Sequence, residues 1–291
     1  MSFDAFSWTP LAWIGGTMFL LWLLSLLLRD VSIVDVFWGL GFVLVAWVSS
    51  ATNEVTTTRE VVVRALVTIW GLRLTAHILA RRAGAGEDPR YQEMRRRWGD
   101  AFPAVSLLSV FALQGLGGMF AVSLPVQVAV NSPVPDVVRW TDVVGATVAL
   151  IGFAFEAVGD AQLTAFKADP RNASKVMDRG LWRYTRHPNY FGDALFWWGV
   201  GIIALSVADH QWTLIGPAVM TFALLRISGV PILERQMRQT RPDYSEYVAR
   251  TSAFVPMPPR EMGRSPHEQG DSVSYDPTKR ESKRSIRKVR T

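Results

Sequence analysis

The chain has 291 residues, 49% of them hydrophobic and 19% charged, with 31 lysines and arginines against 25 acidic residues and a formal net charge of +6. It contains no cysteine, which excludes disulfides, thiolate nucleophiles and cysteine-ligated metals. The histidines, His77, His187, His210 and His267, fall in separate segments, so no histidine-rich metal centre is expected. On so apolar a chain a basic balance is that of cytoplasmic loops, and no nucleic-acid partner is expected.

A helix of about 20 apolar residues crosses the hydrocarbon core of a bilayer. Seven such spans are predicted, at roughly 11–28, 31–51, 61–80, 104–124, 141–162, 190–207 and 211–230. Arg29-Asp30 makes the turn between the first two, an antiparallel hairpin. The sixth opens on Asn189, Tyr190, Gly192 and Asp193, the signature of a shorter helix beside a polar cavity. No basic stretch precedes the first span and no small-residue cleavage site follows it, so it is read as retained. The fold class expected is therefore an all-α polytopic integral membrane protein over residues 1–260, followed by a disordered polybasic tail at 261–291. Such a tail could touch anionic membrane lipids.

Basic residues set the orientation. Arg81, Arg82, Arg90, Arg95, Arg96 and Arg97 follow the third span, and Lys167, Arg171, Lys175, Arg179, Arg183 and Arg186 follow the fifth. Seven spans place both groups on the cytoplasmic side of the plasma or inner membrane, with the N-terminus outside and the C-terminus inside. Charge within an apolar span is costly and asks for a function. Asp35, Arg73, His77, Glu156, Asp160, Asp193 and Arg226 all fall toward that same end, which predicts one polar cavity open to the cytosol.

The segment 163–193 holds the densest chemistry. Lys167, Arg171, Lys175, Arg179 and Arg183 recur at every fourth position, and Tyr184, Arg186, His187, Asn189, Tyr190 and Asp193 follow. Arginine suits phosphate by bidentate hydrogen bonds and lysine as a point charge. Tyrosine can stack on a nucleobase or nicotinamide, and asparagine offers a donor and an acceptor together. This is equipment for a phosphorylated aromatic cofactor. No Rossmann fingerprint, P-loop, HExxH pair or nucleophile elbow is present to do that work instead. Gly115-Leu-Gly117-Gly118 lies inside a span and reads as close helix packing.

Gly180-Leu-Trp-Arg-Tyr-Thr-Arg-His-Pro-Asn-Tyr-Phe-Gly-Asp193 resembles the C-terminal signature of the steroid 5α-reductase superfamily, in its bacterial branch. Matching stretches are Asp35-Val-Phe-Trp-Gly39, Trp70-Gly-Leu-Arg-Leu74, Glu87-Asp-Pro-Arg-Tyr91, Gln114-Gly115, Asp160-Ala-Gln-Leu-Thr-Ala-Phe-Lys167 and Leu225-Arg-Ile-Ser-Gly-Val-Pro-Ile-Leu-Glu234. The resemblance implies seven helices and NADPH entering from the cytosol. Carried over by position, Asp160, Lys167, Lys175, Asn189 and Arg226 match places where the steroid enzymes contact the cofactor. Arg73, Arg171, Tyr184, Arg186, His187, Tyr190, Asp193 and Glu234 complete the candidate cofactor set. Asp35, Trp38 and Gln114 are the candidates facing a lipid-like substrate, and Asp35 and Tyr91 the candidates for catalysis.

Two departures matter: Val34-Asp35 stands where the steroid enzymes have Gln-Glu, and Glu234 stands where they have a cofactor-facing tyrosine. The implied reaction is hydride transfer to the β-carbon of an α,β-unsaturated carbonyl, then protonation at the α-carbon. A protonated Asp35 would donate a hydrogen bond to the developing enolate. The rival is an S-adenosylmethionine-dependent methyltransferase of the isoprenylcysteine carboxyl methyltransferase type, which shares an Arg-His-Pro-x-Tyr-x-Gly core. Asn189 and the acid after Gly192 favour the reductase. A non-enzymatic lipid-binding protein or transporter is the third reading, and it predicts no nucleotide binding.

Overall fold

A computed structural model describes residues 7–51, 53–131, 136–227 and 229–260; the tail predicted at 261–291 lies outside the described residues. Helices dominate, and no strand forms among the described residues. They are α1 (Thr9–Leu28), α2 (Ile33–Ser50), α3 (Thr58–Arg82), α4 (Pro89–Trp98), α5 (Phe102–Ser106), α6 (Leu124–Val130), α7 (Trp140–Ala168), α8 (Pro188–Ala204), α9 (Ile215–Phe222), α10 (Val230–Thr240) and α11 (Tyr244–Arg250). α5 runs on into a π-helix over Leu107–Phe120, and α9 into another over Ala223–Ile227.

Six helical stretches among the described residues are long and apolar enough to cross a bilayer: α1, α2, α3, Pro89–Phe120, α7 and Gln211–Thr240. Leu27 is 82% exposed and Leu108 70%, which hydrocarbon tolerates and water does not. The protein is a polytopic integral membrane protein. The sixth of the predicted spans is the helix α8, whose 17 residues fall short of the others. It is buried among its neighbours rather than beside open water, so its length is set by packing and not by bilayer thickness.

The turns sort into two ends of the bundle. At one, Arg82 bonds Asp30 at 3.4 Å and Glu87 accepts from the Val31 amide at 3.0 Å, joining the α1–α2 turn to the α3–α4 turn. At the other, Asp136 accepts from the Thr58 hydroxyl at 2.6 Å, and Asp142 pairs with Arg59 at 2.7 Å, joining the start of α3 to the start of α7. Successive helices therefore alternate in direction, and the arginine-rich segments after α3 and α7 share the first end.

α7 and α8 form the most intimate contact in the bundle. A Cβ on Gly152 would stand 2.6 Å from the Gly192 carbonyl oxygen and 2.9 Å from the Leu195 carbonyl carbon. Glycine at these positions is what allows the two backbones to touch. Gly115 and Gly118 do the packing predicted for them, the first against Met18 of α1 and the second against the Trp38 ring of α2. Behind them, Phe42, Trp70, Phe196 and Trp197 bring α2, α3 and α8 together, with Trp70 stacked on Phe196 at 5.1 Å.

Gly152→Leu places side-chain atoms where the α8 backbone stands. A loss of about 1–3 kcal/mol or more is expected, read as a lowered melting temperature of the detergent-solubilised protein. A second expectation concerns the alternating ends. Cysteines introduced at Ala85 and Ser174 should label from one side of the membrane, and one at Val137 only from the other. Ser174 and Val137 labelling from the same side would contradict this arrangement.

Candidate functional site

The polar centre of the bundle is built on Arg73. Glu156 and Asp160 lie one turn apart on α7 and so share a face, turned toward α3. Arg73 Nη1 donates to Asp160 Oδ2 at 2.8 Å, while Nη2 bonds Glu156 Oε1. Trp70, one turn before Arg73, donates its indole N–H to Glu156 Oε2 at 2.7 Å. Asn189 on α8 donates to Asp160 Oδ1 at 3.1 Å, and His77 Nε2 stands 3.7 Å from Asp160 Oδ2. Asp193, one turn along from Asn189, is buried and adds a third carboxylate whose charge acts on Glu156. Asn189 Oδ1, Arg73 Nε and Asp193 Oδ1 are buried polar atoms without a hydrogen-bond partner.

A second cluster forms around Asp35 at the start of α2. Pro89 at the first position of α4 and the Asp88 side chain, which accepts from the Arg90 amide, start that helix where the α3–α4 turn meets α2. The Asp88 amide is itself anchored to the Ser32 hydroxyl at 2.8 Å, which fixes the turn against α2. Burial favours a neutral Asp88 carboxyl, but hydrogen bonds and charge from Arg90 outweigh it and hold the group below the usual carboxylate range. Arg90 then reaches Asp35 Oδ2 at 2.9 Å, and the Tyr91 hydroxyl donates to Asp35 Oδ1 at 2.8 Å. Gln114, in the π-helical stretch, donates to the Tyr91 oxygen at 3.3 Å. Asp35 thus meets a guanidinium on one oxygen and a phenol on the other. Trp38 packs edge-on against Phe42 at 5.4 Å and over Gly118, within the core.

The signature segment enters α8 through His187, whose φ of −139° and ψ of 62° keep it outside the helical region that Pro188 after it disfavours. A short turn of helix at Gly180–Arg183 precedes it, with Gly180 at φ 57° against the Gln162 side chain. Trp182 donates to the Gly159 carbonyl at 3.0 Å, setting this turn beside the part of α7 that carries Asp160. The His187 ring stacks on Tyr190 at 5.5 Å, and the edge of the Tyr190 ring lies beside Gly229. Arg186 pairs with Glu234 at 2.7 Å and donates to the Thr251 carbonyl at 2.6 Å. Both residues are engaged in holding the loop to α10 and to the segment after α11.

That last segment is a feature the sequence reading missed. The Arg186 amide bonds the Ser252 carbonyl at 2.9 Å, the Met257 amide bonds the Tyr184 carbonyl at 2.9 Å, and Thr185 Oγ1 donates to the Phe254 carbonyl at 2.8 Å. Residues 252–257 thus brace the signature loop from outside. The hydrogen bonds are made by their backbone atoms, while the Phe254 ring packs edge-on against Phe191 of α8 at 5.9 Å.

The candidates therefore divide. Arg73, Asp160, Asn189, Tyr190 and Asp193 converge, and Asp35, Tyr91 and Gln114 form the adjoining cluster. Arg90 and Trp70 belong with them and were not among the candidate site residues, and Glu156, expected at the polar cavity, joins them. Glu156 had its signal in the spacing from Asp160, and Arg90 in its position beside Tyr91. Lys167, Arg171, Lys175, Tyr184 and Arg226 are exposed around this end. Arg171 is already paired with Asp169 at 2.8 Å. Most of the buried charges at this end are paired with one another, because an unpaired charge in this setting is too costly to keep.

Arg73→Met should cost about 3–5 kcal/mol, since it strands Glu156 and Asp160. Adding Glu156→Gln and Asp160→Asn should recover part of that loss. Thermal melting in detergent distinguishes these outcomes, and an Arg73→Met protein as stable as the parent would show that the pairing contributes nothing.

The family described as protein of unknown function (DUF1295) matches residues 21–251, a stretch that contains every residue of both clusters. No curated protein and no solved structure matches the chain. The chain belongs to the DUF1295 family.

Proposed function

We propose that this protein is a membrane-embedded NADPH-dependent reductase of the steroid 5α-reductase type, acting on the C=C bond of an α,β-unsaturated carbonyl in a steroid- or isoprenoid-like lipid. The observation that carries the reading is the presence at one end of the bundle of two unlike polar clusters, one built on Arg73 and the other on Asp35, with Asn189 of the Arg-His-Pro-Asn-Tyr motif bonded to Asp160 of the first. The motifs that resemble the steroid 5α-reductase superfamily supply the residues of both. The basic end is taken as cytoplasmic, with the N-terminus outside.

The residues present fit the cofactor. The unpartnered Asn189 Oδ1 and Arg73 Nε are an acceptor and a donor of the kind a carboxamide pairs with. The surplus of carboxylate over Arg73 suits a ring that becomes cationic on oxidation. Exposed Lys167, Lys175 and Arg226 would hold phosphates at the basic end. When bound, the nicotinamide supplies the hydride.

At the second cluster the protein's task is to stabilise an enolate oxygen. Tyr91 takes the donor role, and Asp35 with Arg90 positions its hydroxyl. A carbonyl oxygen entering here competes with Asp35 for the Tyr91 proton and meets the Gln114 amide as a further donor. Protonation of the enolate at its α-carbon completes the reduction.

The acidic centre would equally attract a sulfonium, which keeps methyl transfer from S-adenosylmethionine as the second reading. Titration of the detergent-solubilised protein with NADPH and with S-adenosylmethionine separates the two, and binding of neither would leave a lipid-binding protein. Lys167→Ala and Lys175→Ala should each weaken NADPH binding about tenfold to a hundredfold. Tyr91→Phe should leave that affinity unchanged and slow reduction of an enone lipid by roughly 10²–10³. Normal turnover by Tyr91→Phe would remove the tyrosine from the mechanism.

A further inference from the structure

Beside the signature loop, Asp178, Arg179, Arg183, Arg250, Thr251 and Pro259 line an open cleft of about 450 Å³. Its walls come from two segments distant in sequence: the turn that precedes α8, and the brace that follows α11. They are held together by the Arg250–Asp178 ion pair and by the Tyr247 hydroxyl, which donates to the Trp182 carbonyl at 2.5 Å. The cleft is therefore built by tertiary structure rather than by a run of surface charge. Asp178 offsets Arg250. Within the described residues the side chains of Arg179 and Arg183 make no hydrogen bond or ion pair, and two guanidinium charges remain uncompensated at the cleft.

Paired guanidinium groups with a hydroxyl beside them are suited to the tetrahedral oxygens of a phosphate. Two features say which phosphate. The cleft flanks the last turns of α7, a membrane-spanning helix, because Trp182 bonds Gly159 and the Leu181 amide bonds Gln162 at 3.0 Å. Next to the arginines, Tyr184 is 45% exposed and Val255 and Met257 are each 56% exposed, an apolar and aromatic rim on a basic surface. Basic side chains beside exposed apolar and aromatic ones match the polar-apolar boundary of a bilayer. A soluble anion would have no use for that rim.

We infer that this cleft binds the phosphate of an anionic phospholipid headgroup, with Arg179 and Arg183 as its ligands and the Tyr184, Val255 and Met257 rim against the acyl region. The bound lipid would clasp the turn before α8 to the brace after α11. The site is separate from both clusters described above and does not depend on the reductase reading.

The test uses the full chain in nanodiscs of phosphatidylcholine doped with phosphatidylglycerol, extracted into mild detergent for native mass spectrometry of retained lipid. The wild type should retain phosphatidylglycerol in preference to phosphatidylcholine. Arg179→Gln/Arg183→Gln should lower that retention tenfold or more, and Arg179→Lys/Arg183→Lys should keep a substantial part of it. Circular dichroism verifies that the helices of each variant are intact. Because the wild type alone must prefer phosphatidylglycerol, absence of that preference overturns the proposal whether or not a variant folds. Equal retention by the glutamine variant overturns it too. Binding of inorganic pyrophosphate by a wild type with no lipid preference would assign the cleft to a soluble phosphate instead.

Discussion

The guanidinium of Arg73 sits inside a bundle that spans a bilayer, where an unpaired charge costs several kcal/mol. Its partners, Glu156 and Asp160, come from α7, and Asn189 ties Asp160 to α8. Three helices therefore share one electrostatic requirement. None of them can shift along its axis by a turn without stranding a charge. In a membrane, where apolar packing between helices gains little over packing against lipid, such an interaction fixes register in a way that leucine against leucine does not.

The rest of the site follows from that register. With α7 and α8 locked, the Gly152–Gly192 contact lets their backbones meet, and Asp193 comes to lie near Glu156. The signature loop must then close a short path from the end of α7 to the start of α8. It does so with Trp182 bonded to Gly159 and with Arg186 bonded to Glu234 and to the backbone beyond α11. Arginines in one short segment thus have different work. Arg186 is partly buried and holds the loop together, whereas Arg179 and Arg183 face outward. A basic loop is not a uniform cloud of positive charge.

The two polar clusters differ in character, and the difference bears on function. Around Arg73, carboxylates outnumber the cation that pairs with them, which favours a positively charged partner. Around Asp35, Arg90 and Tyr91 each donate to one oxygen of the carboxyl group, and Gln114 adds a further donor, which favours an electron-rich oxygen. A redox reaction that leaves one reactant more positive and the other more negative has use for both environments, side by side.

Much of the architecture was legible in the sequence, because bilayer thickness imposes a length on apolar runs that the residues declare openly. α1, α2, α3 and α7 fall where their hydropathy says, and the Arg-His-Pro-Asn-Tyr motif lies at the polar opening of α8, as its composition implies. α8 itself could be read as a short helix, but not that its neighbours would enclose it, since burial depends on where the other helices pack. The identity of the charged residues was likewise plain, and their pairing was not. The fold of α4 brings Arg90 and Tyr91 to Asp35, and the fold of the loop before α8 brings Arg186 to Glu234. The brace at 252–257 went unread, since its hydrogen bonds are made by backbone groups common to every residue and only the fold sets the Phe254 ring against Phe191. Sequence determined which segments enter the membrane and which residue types carry charge into it. Only the tertiary structure decided which of those charges are spent on one another, because the Coulomb energy of a pair depends on separation in space, not on spacing along the chain.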